Sequence, residues 1–272
     1  MNRFLSASLS GVVATIGAMT LVMTSGCASS ATAKNTEHAK SSAAPVVQSI
    51  KDPIALTELK KMGDALSSAK SMSFWTNTMT PIRGANNQWV HVFSTAKVSM
   101  KRPNKIMIET GGDAFPQKIY FDGKTFSTVS PEKKLYSQTS MPGTIDQMLA
   151  QASKAGESFS FADVLIADPL TSWTTDLEGA TYIGKSDRNG EKLQHLALTA
   201  KDVDWEVWID VKTHLPRVVY VKYTGETRSP TVLIEFSKWK VNGSISDSTF
   251  SYKAPKGFKK IELKMPAEGA SK

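Results

Sequence analysis

A single cysteine in 272 residues excludes an intramolecular disulfide, so any fold here is held by burial and not by covalent crosslinks. The formal net charge of +8 comes from 33 lysines and arginines spread along the chain against 25 acids, which excludes a nucleic-acid-binding stripe massed on one helix.

Arg3 is the one basic residue ahead of an uncharged, largely apolar run from Phe4 to Gly26. A basic end, an apolar stretch and small residues before the cut read as an export signal. The run closes on Thr24-Ser25-Gly26-Cys27, a lipoprotein box in which Thr24 stands where Leu is usual. Cys27 is then the lipid-attachment site and the mature first residue. Removing the signal takes away Arg3 and no acid, and the net charge falls from +8 to +7. The following residues are rich in Ala and Ser and bury too little to offset the entropy of ordering them. The expected organisation is a lipoprotein signal peptide at 1–26, a lipidated, disordered tether at 27–49, one domain at 50–265 and a flexible tail at 266–272. The expected location is the periplasm, lipid-anchored, at the outer membrane in preference to the inner.

The domain opens with a helix. Asp52 suits the N-cap, Pro53 the first helical position, and Ala55, Leu59, Met62, Leu66 and Ala69 form one apolar stripe. The period then changes to two. A run from Gln88 to Met100 turns at Arg102-Pro103-Asn104 into Lys105 to Thr110, a long antiparallel hairpin. Lys118 to Phe121, Lys124 to Val129 and Lys133 to Gln138 continue the meander, with turns at Asp122-Gly123 and Ser130-Pro131-Glu132.

Helices interrupt it. Thr144 and Gln147 make a capping box for Ile145, Met148, Leu149 and Ala152, and Gly156 suits a left-handed end. Ser160 starts a short helix through Phe161, Val164 and Leu165, and Asp168-Pro169 caps a third that carries Leu170, Trp173 and Leu177. Strands resume at Thr181 to Ser186, Leu193 to Thr199, Val203 to Ile209, Pro216 to Tyr223 and Thr231 to Val241, with a last edge near Phe250 to Tyr252. Pairing Ile209 with Arg217 puts Val207 opposite Val219, Trp205 opposite Val221 and Val203 opposite Tyr223. Glu206 then meets Tyr220, and Asp204 meets Lys222, on the other face. A slip of one residue would mix the faces. Asp202, Asp204 and Glu206 form an acidic row read as solvated strand face and not as a cation site, because Lys222 stands among them.

No catalytic constellation is present: no nucleophile elbow, no His-Glu-x-x-His, no phosphate-binding glycine loop and no spare thiol. His91, His195 and His214 are apart in sequence, with no orienting partner in view. Asp163 and Asp168 lie close together but both read as caps. No cofactor and no metal site are expected. Lys253, Lys256, Lys259, Lys260 and Lys264 cluster late in the chain, either to face an anionic bilayer or to guard a sheet edge.

The runs Asp52-Pro53-Ile54-Ala55-Leu56, Tyr120-Phe121-Asp122-Gly123-Lys124, Pro142-Gly143-Thr144-Ile145-Asp146, Phe161-Ala162-Asp163-Val164-Leu165 with Asp168-Pro169, Asp204-Trp205-Glu206-Val207-Trp208-Ile209 and Leu215-Pro216-Arg217 resemble domain-of-unknown-function family 2092, predicted periplasmic proteins of bacteria. The resemblance implies an α+β, mostly antiparallel fold of the LolA/LolB type, a strongly curved half-barrel sheet with helices over its concave face. It carries no catalytic residue. The expected function is a non-enzymatic envelope lipoprotein that holds a lipid or other amphiphile between sheet and helices, lined by Leu59, Met62, Leu66, Met141, Met148 and Leu149. The alternative is a domain with a filled core, acting as an interaction or sensor subunit of an envelope complex. Expected partners are the membrane through the N-terminal lipid, an acyl ligand and an envelope protein, with no nucleic acid.

Overall fold

Asp52 sets the start of the domain by accepting the Ile54 N–H at 2.7 Å, and α1 follows over Pro53–Ser67. A computed structural model describes residues 51–113, 116–154 and 159–262. The signal and tether with Cys27, Gly156, Lys264 and the tail lie outside the described residues.

After α1 come β1 (Ser71–Arg83), β2 (Trp89–Lys101), β3 (Lys105–Gly112), β4 (Gln117–Phe121), β5 (Thr125–Ser130) and β6 (Leu135–Ser140). Next are α2 (Ile145–Lys154), a 3-10 turn at Ala162–Val164 and α3 (Pro169–Thr174). The second meander is β7 (Leu177–Arg188), β8 (Glu191–Ala200), β9 (Val203–Asp210), β10 (Pro216–Lys222) and β11 (Thr231–Val241), followed by β12 (Lys259–Lys260). These twelve strands form one sheet in the order β12-β6-β5-β4-β3-β2-β1-β11-β10-β9-β8-β7. Neighbours pair antiparallel except β12, which lies parallel to β6. The expected fold class is the observed one, an open curved sheet, mostly antiparallel, with few helices.

Four expectations are corrected. β1 has no counterpart in the pattern reading, because its alternation is inverted: Thr76 and Thr78 are buried while Trp75 and Met79 are exposed. Leu177 begins β7 instead of extending α3. Ile209 lies opposite Pro216, and the register shifts before Val218, so Arg217 is the extra residue of a bulge. The other pairs of that hairpin, Val207 with Val219, Glu206 with Tyr220, Trp205 with Val221 and Asp204 with Lys222, are as expected. Finally, Phe250 to Tyr252 is not an edge strand. A 3-10 turn at Asp247–Phe250 leads into a strap that crosses the outer face of β3 to β6.

The strap is fixed at both ends. Asp247 takes Lys101 at 2.6 Å and Lys105 at 2.7 Å, Phe250 is buried, and Tyr252 packs between Tyr120 and Tyr136 at 5.5 and 5.6 Å. Residues between Ala55 and Phe250 supply every buried apolar side chain among the described residues, so a chain beginning at Ala28 keeps the whole described core.

Candidate functional site

The layer between helices and sheet is built from three capped segments. α1 sends Ala55, Leu59, Met62 and Leu66 inward. Thr144 and Gln147 close the capping box of α2 reciprocally, the Thr144 N–H donating to Gln147 Oε1 at 2.9 Å and the Gln147 N–H to Thr144 Oγ1 at 3.3 Å. Asp168 Oδ1 accepts the Thr171 N–H at 3.0 Å and starts α3. The cap holds the Asp168 carboxyl below its ordinary range, through the Thr171 backbone and then its side chain.

Leu59, Met62, Leu66, Met141, Met148 and Leu149 are brought together in this layer, and none is more than 3% exposed. They pack against Phe74, Val98, Ile108 and Phe121 of the sheet's inner face in one apolar core. Among the described residues, a cavity of about 20 Å³ lies beside Met62, Trp173, Trp205, Ile234 and Phe236. That is room for about one water, whereas small-molecule sites take ~300–1,000 Å³.

Polar groups in the layer tie it together. Arg102, at the β2–β3 turn, donates from Nη1 to the Leu165 carbonyl at 2.9 Å and from Nη2 to the Leu66 carbonyl at 3.3 Å. It latches the end of α1 and the 3-10 turn to the sheet. Burial lowers its pKa from the ordinary value, and the Asp146 charge opposes that. Asp163 is buried and accepts the Ser172 hydroxyl at 3.2 Å, so it is not the cap expected for it. The nearby Tyr223 phenol is pushed up to about 12, by burial first and by the Asp163 charge second.

One pair escaped the sequence reading. His195 Nε2 and Glu206 Oε2 lie 2.7 Å apart, and the imidazole stacks on Trp208 at 4.1 Å with 14° between planes. The signal lay in strand pairing: His195 stands opposite Trp208, and Glu206 is two residues away on β9. Glu206 is therefore half of a cross-strand pair on the partly solvated outer face of β9. No group of three or more His, Cys, Asp or Glu able to hold a metal occurs among the described residues. The bulged Arg217 turns to Glu191, Nε to Oε2 at 3.0 Å, and Arg188 pairs with Glu235, which pins the β7–β8 hairpin across β10 and β11. Lys259 and Lys260 of the late basic cluster form β12 at the sheet edge.

Several solved structures are distantly similar to this chain. The complex of MucA and MucB from Pseudomonas aeruginosa contains a chain 16% identical over 74% of this one and 62% of its own length, with a TM-score of 0.39. The chain thus spans less than two thirds of MucB. Lipoprotein LppX of Mycobacterium tuberculosis is 13% identical over 72% of this chain and 99% of its own, with a TM-score of 0.40. A LolA-superfamily protein of Nitrosomonas europaea is 14% identical over 73% and 97%, with a TM-score of 0.34. No curated protein matches the chain. Residues 55–264, most of the chain, match the family model described as predicted periplasmic protein, domain of unknown function 2092, and the chain belongs to that family.

Proposed function

We propose that this protein is a non-catalytic module of the bacterial envelope, lipid-anchored through Cys27 and held by the 27–49 tether, that works by presenting surface to a partner. The observation that carries this is the packing of the sheet–helix layer, where the six candidate lining side chains are buried against one another beside a cavity of about 20 Å³. A tethered domain whose described layer packs this closely has its faces to offer. In-cell crosslinking tests the reading: a reproducible envelope protein partner is expected, and recovery of none counts against it. The anchor has its own test. Cys27→Ser should stop the mature protein from partitioning into a detergent phase, because stable attachment needs acyl chains in the bilayer. The outer membrane is the favoured side, and fractionation of the membranes reads that directly.

A second reading rests on the composition of the cover. Met62, Met141 and Met148 lie in it, and Met side chains repack around irregular apolar shapes. An acyl chain that displaced the helices would meet an adaptable lining. Lipid co-extracted with the purified 28–272 chain, or one-to-one binding of a fluorescent fatty acid, would favour this reading over the first.

A further inference from the structure

The strap covers the outer face of β3 to β6, but the outer face of β1, β2 and β11 carries exposed apolar groups. Trp75, Met79 and Phe93 are 41%, 42% and 44% exposed. Pairing groups Met79 with Phe93 and Leu233, and the polar row of Asn77, Thr95 and Glu235 separates that group from Trp75. Met79 stands opposite Phe93 on β2 and Leu233 on β11, and Leu233 stands opposite Tyr220 on β10. Trp75 is on the same face of β1, four residues away. A sheet face selected only for solubility carries charge in such places.

The border is cationic. Lys238 sits in a left-handed conformation, at φ 55°, with its Nζ 3.8 Å from the centre of the Trp75 ring, and the Lys97 Nζ is 5.8 Å from it. Lys240 stands opposite Ser73 on the same side. None of these three lysines has a carboxylate partner within salt-bridge distance among the described residues. The neighbouring acids are occupied, Glu109 by Lys118 at 2.8 Å and Glu235 by Arg188. Asp113 accepts the Phe93 N–H at 2.7 Å and marks the far end of the row.

An amphipathic Trp beside apolar groups, ringed by lysines that have no carboxylate partner among the described residues, has the chemistry of a surface seated in the headgroup layer of an anionic bilayer. The helices pack against the other face of this curved sheet, so they do not cover these side chains. We propose that the outer face of β1, β2 and β11 docks on an anionic membrane surface, with Trp75, Met79 and Phe93 among the headgroups and Lys97, Lys238 and Lys240 against the phosphates. This goes beyond the proposed function and stands whether or not Cys27 is lipidated.

Co-sedimentation of the 28–272 chain with vesicles tests it. Binding is expected to vesicles of phosphatidylethanolamine with phosphatidylglycerol, much less to phosphatidylcholine, and to weaken as salt screens the lysines. Trp75→Ala with Phe93→Ala should weaken binding by roughly tenfold or more. Removing Lys97 or Lys238 by mutation to Gln should cost about fivefold each. These side chains are exposed, so thermal unfolding should be nearly unchanged and loss of binding will not reflect misfolding. Absence of binding to anionic vesicles, or double variants that bind as well as the parent, overturns the proposal. So does a protein partner found to cover Trp75 and Phe93.

Discussion

Two tryptophans three residues apart on β9 face opposite ways, and truncating each should have very different consequences. Trp205 is 4% exposed, with its ring centre 6.2 Å from that of Trp173 on α3, and it borders the cavity of about 20 Å³. Trp205→Ala removes the wedge between β9 and α3 and joins the space it leaves to that cavity. Loss of a buried Trp side chain costs ~3–5 kcal/mol, because transfer and cavity costs add. Trp208 lies on the other face, half-buried, and its main specific contact is the stack on His195. Loss of such a stack costs about 0.5–1.5 kcal/mol. At roughly 2–4 °C per kcal/mol for a domain of this size, Trp205→Ala should lower Tm by about 6–20 °C, and Trp208→Ala by about 1–6 °C. Circular dichroism melts and urea titrations of the two variants measure both. Equal losses, or the reverse order, would refute the inside and outside faces assigned to this sheet.

Arg102→Met should cost about 2 kcal/mol or more in urea unfolding, since it removes two charge-assisted bonds to the Leu66 and Leu165 carbonyls, and hydrogen exchange should rise first at the end of α1. Asp247 is drawn from 3.8 to about 2 by hydrogen bonds to Lys101 and Lys105, so its hold on the strap is complete above the ordinary carboxylate range and lost as pH falls from about 4 to about 2. Limited proteolysis after Ser246 should accelerate across that window, and Asp247→Asn should show the acceleration at neutral pH. Tyr223, raised from 10.0 to about 12, favours the folded state fully below pH 10 and loses that effect as pH rises through about 12. Its phenolate absorbance should appear only there, and Tyr223→Phe should remove that late step.

Caps and local periods were readable because their partners lie within a few residues. Asp52, Thr144 with Gln147, and Asp168 all act as expected. The hairpin of β9 and β10 was readable because two alternations had to share a face, and only the bulge at Arg217 escaped, since it serves a contact with Glu191 on another strand. β1 was hidden for a tertiary reason. Thr76 and Thr78 lie inside because Ala96 and Phe236 across from Thr76, and Ile234 across from Thr78, complete that part of the core, while Trp75 and Met79 lie outside. The candidate lining residues were legible as an apolar layer and no further, because the space left between side chains depends on how both sides interdigitate. His195 had its partner on the next strand, where spacing along the chain does not reach.

β1 is also where the two meanders meet, and a bond just beyond the ends of β1 and β11 spans most of the domain: the Lys70 N–H donates to Asn242 Oδ1 across 172 positions of sequence. Pairing at such separation must wait for loop closure, so the sheet completes only after nearly the whole domain is available. As long as β11 is missing, the long β1 edge has no permanent neighbour on one side. The same delay exposes a hazard, because a product cut short before Thr231 would carry that edge unpaired and ready to add strands from other chains.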